Sequence, residues 1–160
     1  MHFRKLFLSL LYSVTLFAQS YNFSELRYSD ALNRYSQLDG RIEFTQDGLN
    51  ILYPKQKKEL EYNGQDVIIK EGKKELDLPS QQKQYMMQYF EILKMLHAGD
   101  EAELRDEFTI QKEHYKTVLY PIGNLKYYIK SIELTKEKGL LNYVKLFLKN
   151  NDTITIHIEK

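Results

Sequence analysis

Apolar and polar residues alternate along most of the chain after Gly40, and this period of two constrains the fold more than any other feature of the sequence. Such alternation is typical of β-strands that bury one face. Turn signals separate the alternating segments, and Asn63-Gly64 is the strongest hairpin signal among them. The sequence therefore predicts a meander of about five strands before Pro79 and five more from Phe108 to Ile158.

Three other segments follow helical spacing. Apolar residues from Phe23 to Asp39 recur every three or four positions, with Gly40 as a terminating residue, which predicts an amphipathic helix. A second helix is predicted from Ser80 to Gly99, and Asp100 is expected to cap a short helix after it. These features together predict an α+β domain in which a long curved sheet of about ten antiparallel strands wraps a helix.

The amino terminus has the pattern of a secretory signal peptide. A short basic segment is followed by thirteen mostly apolar, uncharged residues from Leu6 to Ala18. This run is shorter than the about 20 residues that a membrane-spanning helix needs. We expect a signal peptide at residues 1–18, a single domain at residues 19–160 and a periplasmic location in a Gram-negative bacterium. Leu16 is large for a residue just before a cleavage site, so an uncleaved amino-terminal anchor stays an alternative.

Charge and cysteine content exclude several classes of function. The chain has 23 basic and 22 acidic residues, so it lacks the basic excess that binds nucleic acid. The absence of cysteine excludes disulfides, thiolate metal sites and a lipidated cysteine after the leader.

Groups with catalytic or metal-binding patterns are not evident in the sequence. His97, His114 and His157 lie in separate segments without partners at metal-ligand spacing, so we expect no metal site. Neither a Gly-rich phosphate loop nor a Gly-x-Ser-x-Gly elbow is present. We predict no enzyme activity and no cofactor. The acidic residues around Arg105 follow helical spacing, which is typical of a solvated charged face: Glu101, Glu103, Asp106 and Glu107.

The second predicted helix combines thioether and aromatic side chains. Met86, Met87, Tyr89 and Phe90 are consecutive or nearly so. This composition suits surfaces that accommodate ligands of variable shape. Ordinary core packing is the more common use of such a stripe and remains the alternative.

Several short motifs occur in an order that covers nearly the whole chain after the leader. They are Gly40-Arg41-Ile42-Glu43-Phe44, Leu49 to Pro54, Tyr62 to Ile69 around Asn63-Gly64, Leu93 to Asp100, Leu104 to Phe108, Leu119-Tyr120-Pro121 and Asn150 to Ile156. In order and spacing the chain resembles the LolA family of periplasmic lipoprotein carriers, especially its short relatives.

The resemblance implies an incomplete antiparallel β-barrel, a curved sheet of about ten strands that wraps helices and is covered by them. Its apolar cavity, beneath movable helices, would hold the acyl chains of a lipoprotein or another lipid. It implies transport between an inner-membrane donor transporter and an outer-membrane acceptor, by a monomer. One departure concerns the Arg-Pro pair before the second strand of better-studied members, whose Arg latches the helical lid. Gln46-Asp47 stands at the corresponding place here, which puts that latch in doubt.

Within this interpretation, alternation and helical spacing suggest the residues that contact lipid. The competing hypothesis is an envelope assembly module that binds a protein partner through its sheet and holds no ligand. A cavity of about several hundred cubic ångströms favours the carrier, and close packing favours the module. The expected lipid-binding residues are Ile42, Phe44, Leu49, Ile51, Leu60, Tyr62, Met86, Phe90 and Leu93.

A basic run after Pro54 is a candidate docking surface. Lys55, Lys57 and Lys58 place three positive charges within four residues. Lysines near an anionic bilayer each contribute about 1 kcal/mol of attraction. The alternative is a solvated turn that discourages pairing at a sheet edge.

Overall fold

Antiparallel hairpins build a single sheet in the computed structural model, which describes residues 19–159. Within this range the sheet has eleven strands in the order β6-β5-β4-β3-β2-β1-β11-β10-β9-β8-β7, so β6 and β7 form its edges. The predicted signal peptide at residues 1–18 lies outside the described residues. The strands are β1 (Gln19–Ser29), β2 (Arg34–Phe44), β3 (Leu49–Tyr53), β4 (Lys58–Tyr62), β5 (Val67–Glu71), β6 (Lys74–Leu76), β7 (Phe108–Lys112), β8 (Thr117–Pro121), β9 (Ile129–Glu137), β10 (Leu140–Leu148) and β11 (Thr153–Glu159).

The predicted fold class was wrong. Within residues 19–159 the chain is predominantly β, with one open antiparallel sheet and two α-helices, rather than an α+β barrel that is covered by helices. Consecutive strands are neighbours in the sheet except β6 and β7, which α1 and α2 connect, and the pairing of β1 with β11 joins the first and last described strands.

The segment from Phe23 to Asp39 causes much of this difference, because it forms a hairpin of two long strands instead of a helix. β1 and β2 pair from Gln19 opposite Phe44 to Ser29 opposite Arg34. Gly40 does not end a helix. It lies within β2 beneath the ring of Phe23, where an added Cβ would come within 2.7 Å of the ring.

The two predicted helices after Pro79 are confirmed. Helix α1 (Ser80–Ala98) ends at Gly99, which has a φ of 66° and donates its N–H to the carbonyl of Met95. A positive φ of this size favours glycine, which explains the position of the helix end. Helix α2 (Glu101–Glu107) begins at Asp100, whose carboxylate accepts the N–H groups of Ala102 and Glu103. A short 3₁₀ helix, η1 (Gly123–Tyr127), joins β8 to β9.

One face of the sheet, which we call the inner face, carries the buried apolar residues of alternating strand positions. Helix α1 lies on this face, and Phe90, Ile92, Leu93 and Leu96 of the helix belong to the same apolar cluster. No helix among residues 19–159 is long and apolar enough to cross a membrane.

Candidate functional site

The nine residues expected to bind lipid do come together in the fold. All lie on the inner face or on the face of α1 that packs against it, and Met86 is the member that is only partly buried. They divide into two groups, because α1 packs closely over one part of the sheet and leaves a cavity over another. Leu60, Met86 and Phe90 line this cavity. The other six do not line it and pack in the core: Ile42, Phe44, Leu49, Ile51, Tyr62 and Leu93.

The cavity has a volume of about 790 Å³ and lies between the first half of α1 and the inner face. Its lining comes from η1 and from strands β1–β6 and β9–β11. The cavity thus borders nine of the eleven described strands. Most lining side chains are apolar, among them Leu38, Leu60, Ile69, Ile92, Ile129, Leu146, Leu148 and Ile154.

Tyrosines supply much of the remaining wall. Tyr127 and Tyr128 follow one another at the end of η1, and both are exposed where they border the cavity. Tyr85 of α1 contacts the ring of Tyr128, with 5.4 Å between the ring centroids. This contact joins α1 to η1 across the cavity rim. Aromatic rings with hydroxyl groups suit such a rim, since the ring contacts apolar atoms and the hydroxyl stays in water.

A buried charged cluster lies in the wall of the cavity. Glu25 on β1 is only 1% exposed, and it forms an ion pair with the Nε of Arg27. Tyr53 and Tyr89 both donate their hydroxyls to Glu25 Oε2, at 3.3 and 3.4 Å. Arg27, Tyr53 and Tyr89 border the cavity, whereas Glu25 lies behind them. The carboxylate is thus satisfied by three donors, as a buried charge requires.

Burial and the neighbouring carboxylate both favour the neutral form of the two tyrosines in this cluster. Burial, followed by the negative charge of Glu25, raises the pKa of Tyr53 well above its usual value. The same two causes raise the pKa of Tyr89. Both hydroxyls therefore keep their protons at neutral pH and act as hydrogen-bond donors.

The sequence analysis missed this cluster. Glu25 and Arg27 are two positions apart on a strand, so both point to the inner face. The segment was assigned to a helix, in which residues two apart do not share a face. Strand assignment would have placed a carboxylate and a guanidinium together on the buried side.

A second cavity, of about 520 Å³, lies beside α2 and strands β7–β9. Its lining includes the apolar side chains of Leu96, Leu104 and Leu119, together with many charged residues such as Glu101 and Lys112. This mixture gives it less apolar surface than the first cavity.

His97 and His157 differ in their surroundings. His97 stacks on Phe44, with 3.7 Å between ring centroids, and its Nε2 lies 2.9 Å from Gln19 Oε1. Burial, and then the charge of Lys136, lowers the pKa of His97. His157 is exposed, as expected from its position in β11. Among residues 19–159, no group of three or more His, Asp or Glu side chains is placed to hold a metal ion.

The acidic residues of α2 form a solvated surface in which Arg105 lies 2.7 Å from Glu101, one helical turn earlier. Lys112 also pairs with Glu101, at 3.1 Å. The charges of this helix thus pair with one another along its surface.

The basic run occupies the hairpin between β3 and β4. Lys55 and Lys57 are exposed in the turn, and Lys55 forms an ion pair of 3.0 Å with Asp39. Lys58 begins β4 and lines the large cavity. The run therefore lies at the border of the cavity. The resemblance to LolA carriers would place the latch at Gln46 and Asp47. Both residues are exposed in the β2–β3 turn.

Comparison with known proteins adds no assignment, since no protein-family model and no curated protein matches the chain. The similarity to LolA carriers rests on the order and spacing of the sequence motifs alone.

Proposed function

We propose that this protein is a periplasmic carrier that binds the acyl chains of a lipoprotein or a related lipid and moves them from the inner to the outer membrane. The observation that carries the proposal is the apolar cavity of about 790 Å³ between α1 and the inner face. Cavities that bind small molecules have volumes of about 300–1,000 Å³ and mostly apolar walls.

The energetics of acyl transfer agree with such a cavity. Each methylene group that leaves water contributes about 0.8 kcal/mol, so about ten buried methylenes contribute about 8 kcal/mol. The transfer needs no covalent step. The assembly-module alternative calls for close packing of α1 on the sheet, and the open volume over β4–β6 argues against it.

The direct experiment is to purify the protein from the periplasm of its own organism and to analyse organic extracts by mass spectrometry. The proposal expects a stoichiometric acylated molecule that an unrelated periplasmic protein, purified in parallel, does not carry. Recovery of the protein without any bound lipid, together with no uptake of lipid in vitro, would refute the proposal.

A matched pair of variants tests whether the cavity is the binding site. Leu38 lines the cavity from β2, whereas Leu26 on the neighbouring strand β1 points to the opposite, outer face and is 38% exposed. Leu38→Trp should fill part of the cavity and weaken binding of a neutral apolar probe such as N-phenyl-1-naphthylamine by about tenfold or more. Leu26→Trp makes the same change outside the cavity and should leave binding unaltered.

A further inference from the structure

The charged side chains that border the large cavity are all cations. They are Arg27, Lys58 and Lys149, and none of the described residues in its lining is Asp or Glu. The chain as a whole has nearly equal numbers of acidic and basic residues. The cavity border therefore differs in charge from the average of the protein.

Two of these cations have no carboxylate partner in the part of the chain that the structure describes. Arg27 is balanced by the buried Glu25 behind it. Lys58 lies opposite Glu71 in the strand register, but no ion pair within 4.0 Å forms there, and Lys149 has none among residues 19–159. The net positive charge of the border therefore comes from these two lysines.

Both lysines lie at the same end of the sheet. Lys58 is the first residue of β4, and Lys149 directly follows the last residue of β10. The alternating direction of the strands from β4 through β3, β2, β1 and β11 to β10 brings the start of β4 and the end of β10 to one end. Gln56 and Asn150, in the adjoining turns, also line the cavity at this end. Apolar walls thus continue into a polar, cationic border.

We propose that the cavity binds an acyl chain whose head group is an oxyanion, with the chain among the apolar side chains and the head group between Lys58 and Lys149. This inference rests on the proposed function and specifies its ligand class. An ammonium group acts as a point charge that pairs with phosphate or carboxylate oxygens. The half-exposed guanidinium of Arg27 donates one of its five N–H groups to Glu25, and the others add donors on the same wall.

The test compares two single-chain lipids with the same acyl group. Lysophosphatidylglycerol carries a phosphate oxyanion, whereas a monoacylglycerol has no charged group, and both are titrated into the full protein by calorimetry below the concentrations at which they aggregate. We expect at least about fivefold tighter binding of lysophosphatidylglycerol, and a smaller ratio as salt rises. Palmitate serves as a third probe, because its head group is a carboxylate and not a phosphate.

Charge-removing variants locate the effect. Lys58→Gln/Lys149→Gln should abolish the preference for lysophosphatidylglycerol while binding of the monoacylglycerol stays within about twofold. The matched control is Lys73→Gln/Lys138→Gln, which removes the same charge from two exposed turn positions outside the cavity lining and should keep the preference. Thermal unfolding of both double variants checks that they fold alike.

The outcomes separate the inference from the function on which it rests. Equal affinity of the protein for lysophosphatidylglycerol and the monoacylglycerol, or an unchanged preference in Lys58→Gln/Lys149→Gln, overturns the anionic head group and leaves acyl binding standing. Absence of binding of lysophosphatidylglycerol, monoacylglycerol and palmitate overturns the carrier function itself. Loss of palmitate affinity in the same double variant supports an oxyanion in general, and loss for lysophosphatidylglycerol alone identifies the phosphate.

Discussion

The Glu25–Arg27 pair leads to an asymmetric prediction, because its two members differ greatly in exposure. The Glu25 side chain is 1% exposed, and that of Arg27 is 46% exposed. Removal of the guanidinium would leave a carboxylate that water cannot reach. Removal of the carboxylate charge would leave a guanidinium that water already reaches.

The magnitudes follow from these environments. Arg27→Met should cost about 3–5 kcal/mol of unfolding free energy, the usual loss when one partner is removed from a buried ion pair. The two tyrosine hydroxyls that still donate to Glu25 favour the lower end of this range. Glu25→Gln keeps a carbonyl oxygen for the tyrosines and exposes no new buried charge, so it should cost about 1 kcal/mol.

Urea denaturation followed by far-ultraviolet circular dichroism measures both losses, and similar m-values establish that the folded states are equally compact. The double variant Glu25→Gln/Arg27→Met should be more stable than Arg27→Met alone, since no unpaired carboxylate remains. Equal losses in the two single variants would refute this reasoning.

Three further predictions concern the remaining features. Gly40→Ala should cost about 1–3 kcal/mol in urea denaturation, because its Cβ would lie 2.7 Å from an aromatic ring and 2.8 Å from a backbone oxygen; an unchanged midpoint would contradict the packing. The lowered pKa of His97 means that the unfolded chain binds the proton more readily, so stability should fall as the pH drops below 6.5 and through the folded-state pKa. His97→Gln should show a weaker decline over that range, and an identical pH profile would refute the role of His97. Changing Lys55 and Lys57 to Gln should slow lipid transfer to anionic vesicles at low salt without altering lipid affinity, whereas equal rates at every ionic strength would leave the turn without a docking role.

The strands from the second half of β2 onward were predictable because the residues at their inner-face positions are apolar. Ile42, Ile51 and Leu60 lie side by side on adjacent strands, and each alternates with a polar or exposed neighbour. The turns between these strands also carry local signals such as Asn63-Gly64. Pattern and turn chemistry agree there, so the register follows from the sequence.

The first hairpin was not predictable by the same rules. Its inner-face positions include Glu25 and Arg27, so the apolar alternation that identifies a strand is missing. Leu32 and Tyr35 gave the false helical spacing, and both are more than 60% exposed in the turn and the start of β2. The tip of this hairpin extends beyond the core, and residues without a buried face carry no burial pattern.

The division of the predicted lipid-binding residues between core and cavity has a similar cause. Alternation indicates which side chains share a face of the sheet, and the six sheet residues and three helix residues all belong to one apolar cluster or pack against it. Whether Leu60 or Leu49 borders open volume depends on where α1 crosses the sheet. That position is set by contacts between distant parts of the chain, which no local pattern contains.

The size of the inner face explains why open volume remains beneath a single long helix. With 19 residues, α1 is about 28 Å long and about 10 Å across. Eleven strands, spaced about 4.8 Å apart, extend about 48 Å across the sheet. Neither dimension of the helix matches this width, so α1 leaves part of the inner face uncovered. The second half of α1 packs Leu93 and Leu96 into the core, and the first half borders the cavity. An acyl chain that enters this volume would bury the apolar surface that a further helix would otherwise bury. The hydrophobic effect would then favour ligand binding in the same way that it favours folding.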